Sequence, residues 1–127
     1  MKELLEAIPY ARFLGVAIEP ASEGFQCILP FRPELIGNTI LPAIHGGVLG
    51  AFAELTALFG LIDETGIDRV PKPVSFTVDY LRTAGPRDTH ARADIFKLGR
   101  RIANVHVVGW QDDPTKPVVA GNGKFLF

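Results

Sequence analysis

The sequence is nearly without cysteine: Cys27 is the single thiol among 127 residues. A lone cysteine excludes an internal disulfide framework and fits a reducing, cytoplasmic setting. The chain also lacks a dominant charge. Thirteen Lys and Arg face fourteen Asp and Glu, a formal net charge of -1, which speaks against bulk nucleic-acid binding. The opening Met1-Lys2-Glu3 leads to no long apolar run before Pro9 and is not the pattern of a secretory signal. Only one long apolar run exists, Val48 to Ile62. It contains Glu54 and falls short of the roughly 20 residues needed to span a bilayer, so a buried helix is expected and no membrane association. His90 and His106 lie on expected strands without a recognisable metal-ligand pattern. Internal repeats, linkers and low-complexity segments are absent.

What is present is a core-forming composition. Apolar residues make up 47% of the chain and charged residues 21%, which excludes a disordered segment and suits one domain over residues 1–127. Residues 2–14 predict a short helix broken or restarted at Pro9. A strand over Gly15–Glu19 and a turn at Ser22-Glu23-Gly24 follow. Phe25, Cys27, Leu29 and Phe31 then alternate with Gln26, Ile28, Pro30 and Arg32, which is strand spacing. Residues 33–45, with Pro33, Gly37, Asn38 and Pro42, read as a loop of the length that is often functional. Gly46–Glu64 predicts a helix of about five turns, closed by Gly66. Strand spacing returns at Val74, Phe76, Val78 and Tyr80. It continues over 89–98, 102–110 and 117–127, joined by short turns as in an antiparallel meander.

This order is that of an α+β domain with one dominant helix. The helix has almost no polar face, so it must be covered on most sides, and a curved antiparallel sheet wrapped around it would do that. Cys27 is expected as a buried small hydrophobe. Phe52, Phe59, Phe76 and Tyr80 are expected mostly in the core, with some of them open to lining an acyl pocket.

Glu54 interrupts that helix. A carboxylate there must pair, take up a proton or face a cleft. A desolvated carboxylate is a candidate catalytic group, and a solvent-facing or strand-bonded glutamate is the structural alternative. The helix opens with Ile44-His45-Gly46-Gly47-Val48. Free N–H groups at a helix start bind anions and developing negative charge, and glycines admit close approach to the backbone. A carbonyl placed there is polarised, as in an oxyanion hole; the alternative is that the glycines only permit tight packing. Gly46 and Glu54 are eight residues apart, about 12 Å at 1.5 Å per residue. One helix does not easily bring both groups to one carbonyl, which hints at a site completed by a second subunit.

Several segments together resemble the hotdog-fold acyl-CoA thioesterases of the phenylacetate-pathway and 4-hydroxybenzoyl-CoA types, over about residues 12–127. They are His45-Gly46-Gly47 with an acid nine residues after the histidine, Val78-Asp79-Tyr80-Leu81-Arg82-Thr83-Ala84, Gly99-Arg100-Arg101-Ile102-Ala103, and Val119-Ala120-Gly121-Asn122-Gly123-Lys124-Phe125. The resemblance implies an antiparallel sheet around a central helix and hydrolysis of acyl-CoA-type thioesters. It places Glu54 as nucleophile or general base, Gly46 N–H as the group that polarises the carbonyl, His45 as the motif histidine, and Asn38 as the loop residue that orients water or the thioester. Gly47 belongs to the same substrate-binding turn. It further implies a homodimer or dimer of dimers with the acid of one subunit opposite the glycine of the other, and no cofactor beyond the CoA thioester as substrate.

The chain departs from the family pattern in places. Asn38 lies seven residues before His45, where relatives have six. Pro73 stands where relatives often have Ser or Thr, and Ser75 and Thr77, at the same strand parity, are the expected substitutes. Leu58 replaces the Thr one turn after the acid, and Thr56 lies on a different helix face. Arg82, Arg100 and Arg101 are candidates to hold CoA phosphates through bidentate bonds, against the alternative of solvated surface charge. Two other functions stay open from sequence: a non-catalytic acyl-thioester binder, and a hotdog-fold dehydratase or hydratase.

Overall fold

The computed structural model describes residues 2–127. Two short helices open the chain, α1 (Lys2–Ala7) and α2 (Pro9–Leu14). The break falls where expected, because Pro9 has no N–H to continue α1 but suits the first position of a new helix. β1 (Ala17–Pro20) and β2 (Phe25–Leu29) pair as an antiparallel hairpin. β2 stops two residues before Phe31, whose N–H donates to Asp88 Oδ1 instead.

The segment 33–45 is more ordered than the loop expected. A 3-10 turn, Pro33–Leu35, leads into a two-stranded ribbon of β3 (Ile36–Asn38) and β4 (Ala43–Ile44). Next comes α3 (Gly46–Thr65), closed by Gly66 in the left-handed conformation at φ 70°. Then follow β5 (Lys72–Tyr80), β6 (Thr89–Leu98), β7 (Ile102–Trp110) and β8 (Val119–Leu126). β5 begins two residues before Val74, and β8 two residues after 117.

The main sheet has six antiparallel strands in the order β1-β2-β6-β7-β8-β5. β6, β7 and β8 form the expected meander. β5 pairs with β8 and not with its sequence neighbour β6, so β5 is an edge strand with one side of its backbone unpaired. α3 lies across one face. Phe52, Ala53, Phe59 and Leu61 are wholly buried there against Cys27, Leu29, Ala91, Val105, Val107, Val119 and Phe125. Twenty residues of this apolarity are long enough to cross a bilayer, but here the sheet occupies the apolar surface.

Two glycines of β8 decide how β5 sits. Phe76 of β5 packs over Gly121 and Gly123, beside Phe125. A Cβ on Gly123 would lie 2.5 Å from both the Phe76 ring and the Ser75 carbonyl oxygen, the latter being backbone that cannot swing aside. Gly123→Ala is therefore expected to cost about 1–3 kcal/mol, read as a fall in Tm of roughly 4–12 °C. An unchanged Tm would mean that Phe76 is not seated as described.

Candidate active site

The ribbon β3–β4 anchors the start of α3. His45 N–H donates to Leu35 O and Ile44 N–H to Ala84 O, both at 2.9 Å. A Cβ on Gly37 would lie 2.8 Å from His45 Cα, so the ribbon closes on His45 only because residue 37 has no side chain. His45 is the N-cap of α3, and its Nδ1 accepts from Gly47 N–H at 2.9 Å. A nitrogen that accepts carries no proton, so the ring proton belongs on Nε2. Val48 and Leu49 N–H both donate to His45 O, at 3.0 and 3.2 Å. Among the described residues, Gly46 N–H is thus the first-turn amide left without a partner. Of the two glycines singled out from sequence, Gly46 has the free donor and Gly47 has spent its own on the cap.

Glu54 lies two turns further along. Gly47, Ala51 and Glu54 recur at i, i+4 and i+7 on the part of α3 that is not fully buried, while Gly50 beside them lies against Tyr80 and Val78 of β5. Glu54 is half-buried, and among the described residues no hydrogen bond or ion pair compensates it. Desolvation by burial raises its pKa above the usual carboxylate value. Three clefts of the isolated chain open around Asp63, at the other end of α3, one lies beside Trp110, and one is lined by Arg82, Arg87 and Lys116. Gly46 N–H and Glu54 are consequently a half-site: a donor and a carboxylate on one helix, too far apart to meet, and neither has a hydrogen-bond or ion-pair partner among the described residues.

Other expected site residues are distributed unevenly. Asn38 ends β3, and its Oδ1 accepts from Ile40 N–H at 3.0 Å and Leu41 N–H at 3.2 Å. Its oxygen shapes the hairpin tip, which leaves the amide NH2 as the group for other work. Ser75 and Thr77 are not brought to Glu54. A bulge between Pro73 and Ser75 breaks the strand parity, so Pro73 pairs with buried Phe125 and Ser75 with exposed Lys124. Ser75 and Thr77 thereby point from the sheet face opposite α3, and they do not replace the family's polar residue at Pro73. Arg82 Nη1 donates to Pro117 O at 2.8 Å, while Arg100 and Arg101 are exposed at the β6–β7 turn. The two groups sit at opposite ends of β8, whose seven-residue rise from Val119 to Leu126 spans about 23 Å. One chain does not gather them around one ligand.

Cys27 is wholly buried and its thiol is pushed up to about 12 by desolvation, which suits packing and not nucleophilic chemistry. Thr56 is buried too and donates to Phe52 O, on the sheet side of α3. His90 is engaged by Glu19 at 2.7 Å, and Gln26 donates to the same oxygen at 2.7 Å.

Tyr80 corrects one expectation. It is 56% exposed instead of core, and its hydroxyl donates to Gly46 O at 2.8 Å. The sequence carries a signal that reading it as core passes over: glycines at 46 and 50, one helical turn apart, make a notch that an aromatic residue can fill.

A long helix across an antiparallel sheet, opened by His-Gly-Gly with a half-buried acid two turns on, defines a hotdog-fold thioesterase-type domain. The family described as acyl-CoA thioesterase N-terminal domain matches residues 37–126. The chain belongs to this family, and thioester hydrolysis is its general chemistry. Solved structures agree on the fold. A protein of the thioesterase superfamily is 25% identical with a TM-score of 0.88, over 98% of this chain and 93% of that one. A protein from Chromobacterium violaceum is 34% identical with a TM-score of 0.79, over 98% and 87%. A protein from Bacillus halodurans, solved with CoA, is 19% identical with a TM-score of 0.79, over 96% and 82%. No curated protein matches the chain.

Proposed function

We propose that this chain hydrolyses acyl-CoA thioesters at a site shared between two copies, with the Gly46 N–H of one subunit facing Glu54 of the other. The observation that carries this is the presence on one helix of an unspent helix-start donor and an uncompensated, half-buried carboxylate. Each half needs what the other has. β5 supplies a means of association: its outer edge is unpaired, and Val74, Tyr80 and Leu81 are exposed along it and just beyond. A free edge of this kind pairs readily with a second strand. Antiparallel pairing of two β5 edges also brings the Arg82 end of one subunit to the Arg100–Arg101 end of the other. That offers one CoA molecule both sets of cations, and the CoA held by the Bacillus halodurans protein supports such a ligand.

In the proposed reaction Gly46 N–H donates to the thioester oxygen as it gains charge. Glu54 takes a proton from water while the water oxygen bonds to the carbonyl carbon. The tetrahedral intermediate then collapses, the C–S bond breaks, and the proton passes to the departing CoA sulfur. A raised carboxylate pKa suits this general-base route, because a proton acceptor nearer the working pH is a stronger base. Direct attack by Glu54, through an anhydride that water then opens, uses the same geometry. His45 caps the helix, and Asn38 contributes its free amide NH2 to water or thioester. The cytoplasm is the proposed location, in keeping with the single buried thiol.

The test is free-thiol release across aryl and alkyl acyl-CoAs. Turnover of at least one series is expected. Tight binding with no turnover across the whole panel would overturn hydrolysis and leave a thioester-binding protein.

A further inference from the structure

The glycine pair that opens α3 is held by a residue outside the motif. Two consecutive glycines are the least restrained backbone available, yet a donor that stabilises developing charge works only if its direction is set in advance. The peptide between Gly46 and Gly47 is gripped at both ends: its N–H by His45 Nδ1 at 2.9 Å, and its C=O by the Tyr80 hydroxyl at 2.8 Å. That peptide joins the one carrying Gly46 N–H at Gly46 Cα, so only the two backbone angles of Gly46, the freest residue type, separate the gripped plane from the donor. The phenol reaches the carbonyl across a groove whose tight side is Gly50. A Cβ on Gly46 would lie 3.4 Å from the Tyr80 ring, an ordinary contact, whereas one on Gly50 would lie 3.3 Å from the Tyr80 oxygen, close enough that the hydroxyl must give way. Gly50, which no sequence motif explains, is the second wall of that notch. From this geometry we infer that Tyr80 is a positioning residue for the oxyanion-binding amide and that Gly50 is the clearance it requires.

This inference rests on the reading of Gly46 as the oxyanion donor, so two measurements are needed. The first is kinetic. Tyr80→Phe keeps the ring and removes only the hydroxyl; it is expected to lower kcat about tenfold with KM within about twofold, the scale of one lost hydrogen bond acting on the transition state. Gly50→Ala presses on the same hydroxyl and is expected to give a similar loss. The double variant is expected to be no slower than the worse single one, because both act through one bond. Unchanged kcat in Tyr80→Phe, or losses that multiply in the double variant, overturns the inference. The second measurement is independent of turnover: amide exchange by NMR in protein labelled with 15N-glycine. Tyr80→Phe is expected to speed exchange at Gly47 and Gly50 about threefold to tenfold, since their peptide and acceptor are those it releases. Exchange that matches the parent overturns the positioning role even if the protein hydrolyses nothing, whereas faster exchange without any turnover upholds it and rejects the hydrolase reading alone.

Discussion

Glu54→Gln is expected to lower thiol release by about 10²–10⁴-fold, the range for loss of a general base, without destabilising the fold. The two halves of this expectation have one cause. The carboxylate is half-buried and uncompensated, and burial raises its pKa. A group whose folded pKa exceeds its unfolded value contributes relative stability below the unfolded pKa and loses it as pH rises through the folded pKa. Near neutrality the parent therefore carries a destabilising ionised group that the amide lacks. Tm of the variant should equal or exceed that of the parent at pH 7, and the difference should close as pH falls below the ordinary carboxylate range. Activity of the parent follows the opposite course, since the reaction needs the ionised form. Its acid limb should fall at a pH above that of an unperturbed glutamate. A Glu54→Gln protein that melts well below the parent at pH 7 would identify Glu54 as a structural partner, and one that turns over normally would remove it from the chemistry.

Two inactive variants mixed together are expected to recover activity. Gly46→Pro removes the free N–H at the first helical position, where proline is tolerated. The preceding His45, at φ -59° and ψ 133°, already has the extended conformation that a following proline requires. Loss of this one donor should lower kcat by about 10²–10³-fold. Glu54→Ala is inactive for the other reason. In a dimer of one of each, one shared site carries both lesions and the other carries neither. Random reassortment makes half the dimers mixed, so about a quarter of the parent activity should return after joint unfolding and refolding. If both groups served the same chain, every site would hold one lesion and the mixture would stay inactive. That outcome would sink the shared site.

Much of the architecture is legible along the chain because its signals are local. Pro9 breaks the first helix and Gly66 ends the long one. Alternation marks the longer strands but not the short β3–β4 ribbon, and a helix apolar on nearly every side must be covered. Glu54 stands out for the same reason, as a charge where the pattern allows none. His45-Gly46-Gly47 is visible as a run, but which glycine keeps a free amide depends on where the His45 ring turns, and sequence does not carry that. The register of Ser75 and Thr77 fails for a related cause. Strand parity survives only until a bulge, and the bulge at Pro73 arises from pairing with β8.

The amino-acid order alone thus determined the long elements, the wrapped helix and the anomalous carboxylate, since each follows from neighbours within a few residues. The tertiary structure decided the rest: β5 at an open edge, Ser75 and Thr77 turned from the helix, the cationic ends held apart, and Tyr80 set against Gly46 from 34 residues away. Those depend on which strand finds which partner, and pairing across the fold leaves no periodic trace in either segment by itself.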